Sequence, residues 1–72
     1  MNGKEIGRIE AYMKRTFRLD TIELRQRPNS TDSAEVYIGD EFIGLVFRDD
    51  EDDELSYNFQ MAILEFDLDQ MD

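Results

Sequence analysis

The sequence predicts an α+β fold in which one N-terminal helix packs on a four-stranded antiparallel β-meander. Three observations favour this fold class. Apolar residues recur every three or four positions up to residue 17, and they alternate with polar residues after residue 21. Short polar turns separate the alternating segments. The chain has only 72 residues, so residues 1–72 are expected to form a single small domain.

The helix is predicted over residues 3–17. Asn2 is a favourable N-cap residue and Glu5 stands three positions later, which is a capping-box arrangement. An apolar stripe then follows at spacings of 3, 4 and 4, formed by Ile6, Ile9, Met13 and Phe17. We expect this stripe to face the sheet.

Four strands are predicted, near residues 20–27, 34–39, 41–48 and 55–67. The first alternates Ile22 and Leu24 with polar residues and ends before Pro28, because proline cannot donate to a β-ladder. Gly39-Asp40 provides a tight turn between the second and third strands.

The last two strands carry apolar residues in both phases of the alternation. In the third strand, Phe42 and Val46 fall in one phase, and Ile43, Leu45 and Phe47 fall in the other. Gly44 between them indicates close packing or a bulge. In the fourth strand the two phases overlap near residues 61–64, which indicates either a bulge or burial on both faces.

A helix is the alternative for the C-terminal segment. Its support is a spacing of 3, 4 and 3 between four apolar residues, Met61, Leu64, Leu68 and Met71. Residues 64–69 alternate strictly between apolar and acidic, however, and this alternation favours a strand.

Charge and composition exclude several classes of function. Residues 1–27 hold seven basic and four acidic side chains, a charge of +3, and residues 28–72 hold one basic and fourteen acidic, a charge of −13, which together give −10. A polyanion is repelled by phosphate backbones and anionic membranes, so we expect neither direct nucleic-acid binding nor membrane binding. There is no cysteine or histidine for the common zinc and iron–sulfur sites. The N-terminus lacks a signal-peptide pattern, so a cytoplasmic protein is expected.

Six consecutive acids, residues 49–54, invite comparison with a calcium loop. Counted from Asp49, however, an EF-hand would need glycine where Glu54 stands and glutamate where Gln60 stands. We therefore expect a solvated connection with no specific metal site. Weak, non-selective cation binding is the alternative.

The usual signatures of catalysis are missing, so we expect no enzyme and no cofactor. The four glycines are scattered and match no phosphate-binding loop. Tyr37 and Tyr57 are expected to pack in strands with their hydroxyls at the rim. A structure that brought Tyr37, Arg48 and Tyr57 into one pocket would revive an enzymatic hypothesis.

Three segments have distinctive sequences: SAEVYIGDEFIG at 33–44, RDDED at 48–52 and SYNFQMAIL at 56–64. With Arg15-Thr16-Phe17 and Arg27-Pro28, they resemble a family of short alphaproteobacterial proteins catalogued as domain of unknown function 3126. The likeness covers nearly the whole chain. It implies a bacterial cytosolic setting and no particular activity.

The main functional hypothesis is a small acidic, non-catalytic protein-interaction module that acts as a homodimer or as a partner subunit. One helix covers only one side of a sheet, which leaves an apolar sheet face or a strand edge for association. The candidate interface residues are Phe42, Val46, Tyr57, Phe59 and Phe66. The alternatives are an acidic nucleic-acid mimic that binds a DNA- or RNA-binding protein, and a weak divalent-cation binder.

Overall fold

The computed structural model describes residues 1–51 and 53–70, which form two helices and four strands. These elements are α1 (Gly3–Phe17), β1 (Ile22–Gln26), β2 (Ser33–Ile38), β3 (Glu41–Asp49), β4 (Ser56–Gln60) and α2 (Glu65–Asp69). The strands form one antiparallel sheet in the order β1-β2-β3-β4. The predicted α+β fold class is therefore confirmed. No helix of the described residues is long and apolar enough to span a membrane.

α1 has the predicted bounds because both of its ends are capped. The Asn2 side chain accepts a hydrogen bond from the Glu5 backbone N–H at 2.8 Å, and the Glu5 carboxylate accepts one from the Asn2 N–H at 3.2 Å. At the other end, Arg18 adopts a left-handed conformation with φ of 54°. The N–H groups of Arg18 and Leu19 both donate to the Lys14 carbonyl, which stops the helix.

The core lies between α1 and one face of the sheet. Its buried apolar residues are Met1, Met13, Ile22, Leu24, Ala34, Val36 and Val46. Ile6 and Ile9 pack at its margin, as the apolar stripe predicted. Phe17, the last residue of the stripe, is 51% exposed, and its ring centroid lies 6.3 Å from that of Phe59. The stripe prediction is therefore correct for three residues and only partly correct for Phe17.

A β-bulge in β3 changes which residues share a face of the sheet. Val36 pairs with Gly44, but the next residue, Tyr37, pairs with Phe42, so Ile43 is the extra residue. The extra residue reverses the alternation, and Phe42 lies on the face opposite Val46. The expectation that these two residues share a face is wrong for this reason. We call the face that carries Phe42 the outer face, since α1 covers the other one.

The fourth strand is shorter than predicted. β4 ends at Gln60, which pairs with Leu45, and the next position on β3 is Gly44, beside the bulge. The ladder therefore loses a regular partner at this point, and residues 61–64 are not part of a strand. The predicted strand over 61–67 is wrong, and residues 65–69 form the short helix α2 instead. Of the residues that favoured the helical alternative, Met71 lies outside the described residues.

Candidate functional site

Residues 61–70, which we call the C-terminal arm, expose apolar side chains that a small domain would normally bury. Five large ones are between 49% and 68% exposed: Met61, Ile63, Leu64, Phe66 and Leu68. Within the described part of the chain, α2 has no extensive packing against another element. The molecule measures 44 × 24 × 23 Å, and its radius of gyration of 13.4 Å exceeds the ~11 Å of a compact domain of this length. The arm lies at one end of the elongated molecule, where Leu64 and Asp67 line a cavity of about 310 Å³ with Phe42 and Leu45 of β3.

The five candidate interface residues do not form one surface. Phe42 is on the outer face and Phe66 is in the arm, and both are exposed. Tyr57 and Phe59 face the α1 side, where they contact Glu5 and Phe17. Val46 is only 1% exposed and belongs to the core, so its place in the predicted interface is wrong. It was assigned there because the sequence pattern did not reveal the bulge.

A groove runs between α1 and β4. α1 packs mainly on β1, so the sheet on the β4 side is left partly open. The groove has a volume of about 620 Å³ and its chemistry is mixed. Apolar and aromatic surface comes from Ile9, Tyr12, Leu55 and Tyr57, positive charge comes from Arg8 and Arg15, and one carboxylate comes from Glu5. This arrangement suits an apolar segment that carries acidic side chains.

Three polar side chains at one end of the groove join α1 to the sheet. The Tyr57 hydroxyl donates to Glu5 Oε2 at 2.6 Å, and Arg48 Nε lies 3.6 Å from the same oxygen. Arg48 and Tyr57 are neighbours on β3 and β4, so the sheet presents both to the helix. Among the described residues, Arg48 Nε is buried and has no hydrogen-bond partner, which leaves the ion pair with Glu5 as its main polar contact there.

The network moves the pKa values of Glu5 and Tyr57 further away from 7. The hydrogen bond from Tyr57 lowers the pKa of Glu5 below its ordinary 4.5, and the Asn2 backbone and Arg48 lower it further. The same hydrogen bond, with burial, raises the pKa of Tyr57 above its ordinary 10.0. Near pH 7 the network therefore holds a carboxylate and a neutral phenol, which is an arrangement that fixes α1 in place.

We expect Tyr57→Phe to reduce thermal stability in a pH-dependent way. A carboxyl whose pKa is lowered in the folded state stabilises above its unfolded pKa, and this contribution is lost as the pH falls through the lower folded value. The difference in melting temperature between the wild type and Tyr57→Phe should therefore be largest at about pH 5–9 and shrink below pH 4.5. It should also shrink above pH 10.0, as Tyr57 ionises through its raised pKa.

Tyr12→Phe is the matched control, since Tyr12 is an exposed tyrosine of α1. Its melting temperature should follow that of the wild type between about pH 3 and pH 9. A Tyr57→Phe difference that did not change between pH 7 and pH 3 would show that the hydroxyl does not act through Glu5.

Tyr37 lies on the outer face, away from this network. The Arg25 guanidinium stands 3.8 Å from the centre of its ring, and the Phe42 ring packs edge-on at 5.7 Å. Arg25 also pairs with Glu23 and Asp40. Tyr37, Arg48 and Tyr57 therefore do not line one pocket, and the arrangement that would have revived the enzymatic hypothesis is not formed.

The acidic loop contains Asp52, which lies outside the described residues. In residues 1–51 and 53–70, no three acidic side chains come together where they would hold a metal ion. The Asp49 carboxylate accepts a hydrogen bond from the Glu51 backbone at 3.2 Å. The expectation of a solvated connection stays a prediction.

Neither the groove nor the arm was predicted from the sequence. A signal for the groove was present: Arg8, Tyr12 and Arg15 are spaced 4 and 3 apart, so they share a row on α1 next to the apolar stripe. A signal for the arm was the helical spacing of Leu64 and Leu68. Neither signal shows that α1 leaves the sheet partly open or that β4 ends at Gln60.

A family model described as a protein of unknown function (DUF3126) matches residues 5–67. That range contains α1 except for its first two residues, all four strands and most of the arm. No curated protein and no solved structure matches the chain.

Proposed function

Since the chain belongs to the DUF3126 family, which is described only as of unknown function, we propose a function from the chemistry of its own surface. The protein is a non-catalytic protein-interaction module, and its C-terminal arm is the element that binds. A partner of this kind is either another copy of the chain or a different protein.

The exposed apolar side chains of the arm carry this proposal. Burying one large apolar side chain contributes about 1.5–3 kcal/mol, and the arm leaves five of them at least 49% exposed. Soluble monomers seldom keep such a row in water without a binding role. A partner that covered the arm would remove this surface from water.

The acidic-mimic alternative has less support. A mimic needs free carboxylates spread over an extended face, at phosphate-like intervals. Among the described residues, five carboxylates are instead paired with bases of this chain: Glu5 and Asp50 with Arg48, Glu10 with Lys14, and Glu23 and Asp40 with Arg25.

The proposal is tested by the size of the native complex. In an extract of the cells that produce the protein, the wild type should elute from a sizing column well above 8.5 kDa. The full-length chain with Leu64→Ser and Leu68→Ser should elute as a monomer, with its melting temperature retained at low protein concentration, because both side chains are outside the core.

Leu64→Met with Leu68→Met is the matched control. It changes the same two positions of the arm but keeps both side chains apolar. This variant should keep the large complex. Elution of the wild type at 8.5 kDa in the extract would contradict the interaction function.

A further inference from the structure

Resting on the proposed function, we propose that the partner of the arm is a second copy of this chain. In this dimer, β4 pairs antiparallel with β4 of the second copy. Each C-terminal arm then leaves the side of its own β3, crosses to the other copy and lies in its groove between α1 and β4. The charge of the arm, the free edge of β4 and the position of the groove each support this arrangement.

The two edge strands of the sheet, β1 and β4, differ in how freely each could pair with a strand of another chain. At the β1 edge, the Glu10 carboxylate of α1 accepts a hydrogen bond from the Leu24 N–H at 3.0 Å, so the helix occupies a donor there. At the β4 edge, no strand of the described residues pairs beyond β4. β4 has the sequence SYNFQ and lacks the lysine, proline and charged residues that normally protect an edge from pairing.

The register of such a pair brings the arm to the groove. A two-fold pairing centred on Asn58, the middle of β4, places Gln60 opposite Ser56 of the second copy. The chain continues past Gln60 beside Leu55 of the second copy, and Leu55 lines the groove. The two-fold axis is perpendicular to the sheet, so both α1 helices and both grooves lie on the same side.

The arm is badly placed to reach its own groove. Leu55 precedes β4 and the arm follows it, so the arm would have to run back along the strand. Five strand residues span about 17 Å, whereas the four residues 61–64 span at most about 14 Å. The arm of the second copy starts next to Leu55.

The side chains of the arm complement those of the groove. Leu64 is the N-cap residue of α2 and Leu68 follows four residues later, so the two side chains are close to each other at one side of the helix. By helical periodicity, Glu65 and Asp69 flank this leucine pair on one side and Asp67 flanks it on the other. The groove offers apolar surface between Arg8 and Arg15, so leucines meet apolar surface and carboxylates meet guanidinium groups.

Charge reversal with mixing tests the exchange of arms. One purified full-length chain carries Arg8→Glu and Arg15→Glu, and the other carries Glu65→Arg and Asp69→Arg. In each homodimer like charges would meet, so dimerisation should weaken at least about tenfold. In the mixed heterodimer both grooves meet an arm of opposite charge, so mixing should restore a species of twice 8.5 kDa in sedimentation equilibrium. If both reversed chains stay monomeric after mixing, the exchange is wrong.

Disulfide trapping tests the pairing of β4. The chain has no cysteine, so a bridge in Asn58→Cys joins two copies only at that position. Residues on the two-fold axis have Cα atoms about 4.5–5.5 Å apart, which suits a disulfide. Ser56→Cys is the matched control, since two copies of residue 56 would be about 14 Å apart. Mild oxidation should link Asn58→Cys almost completely and leave Ser56→Cys largely reduced, and equal linking of the two variants would overturn the register.

The mass of the purified protein and the size of the complex in the cell extract together distinguish the homodimer from binding to a different protein. If purified wild type sediments at 8.5 kDa but the complex in the cell extract is large, the partner is a different protein and only the homodimer is wrong. If both are 8.5 kDa, both proposals are wrong.

Discussion

Met13→Ala is expected to lower the free energy of unfolding by about 2–5 kcal/mol. Met13 is 5% exposed and is the buried residue of α1, where it packs on the core. Truncation removes its apolar contacts and leaves a cavity that the short helix fills poorly. Small domains have a small free energy of unfolding, so this loss is a large part of it. Urea unfolding at a fixed protein concentration measures it.

Lys4→Ala is the control for this prediction. It introduces alanine at an exposed position of the same helix, so the free energy of unfolding should change by no more than about 0.5 kcal/mol. If Met13→Ala unfolded at the same urea concentration as Lys4→Ala, α1 would not pack on the sheet through Met13.

Gly44→Ala is expected to lower the free energy of unfolding by about 1–3 kcal/mol. A Cβ atom at this position would overlap the Gln60 carbonyl oxygen and lie 2.9 Å from Cε1 of Phe59. The first contact is with backbone, so relief requires a shift of β4 away from β3. The urea midpoint should therefore fall, and because β4 carries the arm, the dimer that we propose should form more weakly as well.

Gly7→Ala is the matched substitution with the opposite expected sign. Gly7 is inside α1, and apart from the adjoining backbone of the helix no described atom lies within 4 Å of the Cβ that alanine would add. Alanine there should raise stability by about 0.5–1 kcal/mol, because glycine loses more conformational freedom in a helix. Equal effects of the two substitutions would mean that the close approach at Gly44 is absent in solution.

The N-terminal part of the fold was predictable from local signals. The capping box of Asn2 and Glu5, and an apolar stripe of helical spacing, gave α1 its observed bounds of Gly3–Phe17. The alternation of apolar and polar residues predicted β1 and β2, because each of these strands has one buried face. For these elements, the residues that decide the structure are neighbours in the sequence.

The C-terminal part was harder to predict because its structure depends on contacts between distant residues. The bulge at Ile43 moves Phe42 to the outer face and leaves Val46 in the core, and it is defined by the pairing of β3 with β2. The end of β4 at Gln60 depends on that bulge, since the ladder loses its regular partner there. An alternating sequence does not contain this information, and so it suggested a longer strand.

The candidate site, like the fold, was predictable from the sequence only in part. The sequence by itself determined the α+β fold class and predicted more apolar surface on the last two strands than one helix covers, because residue type and spacing report local burial. Only the tertiary structure decided where that surface lies. The groove and the Glu5, Arg48 and Tyr57 network join residues up to 52 positions apart, and those contacts depend on how α1 sits on the sheet.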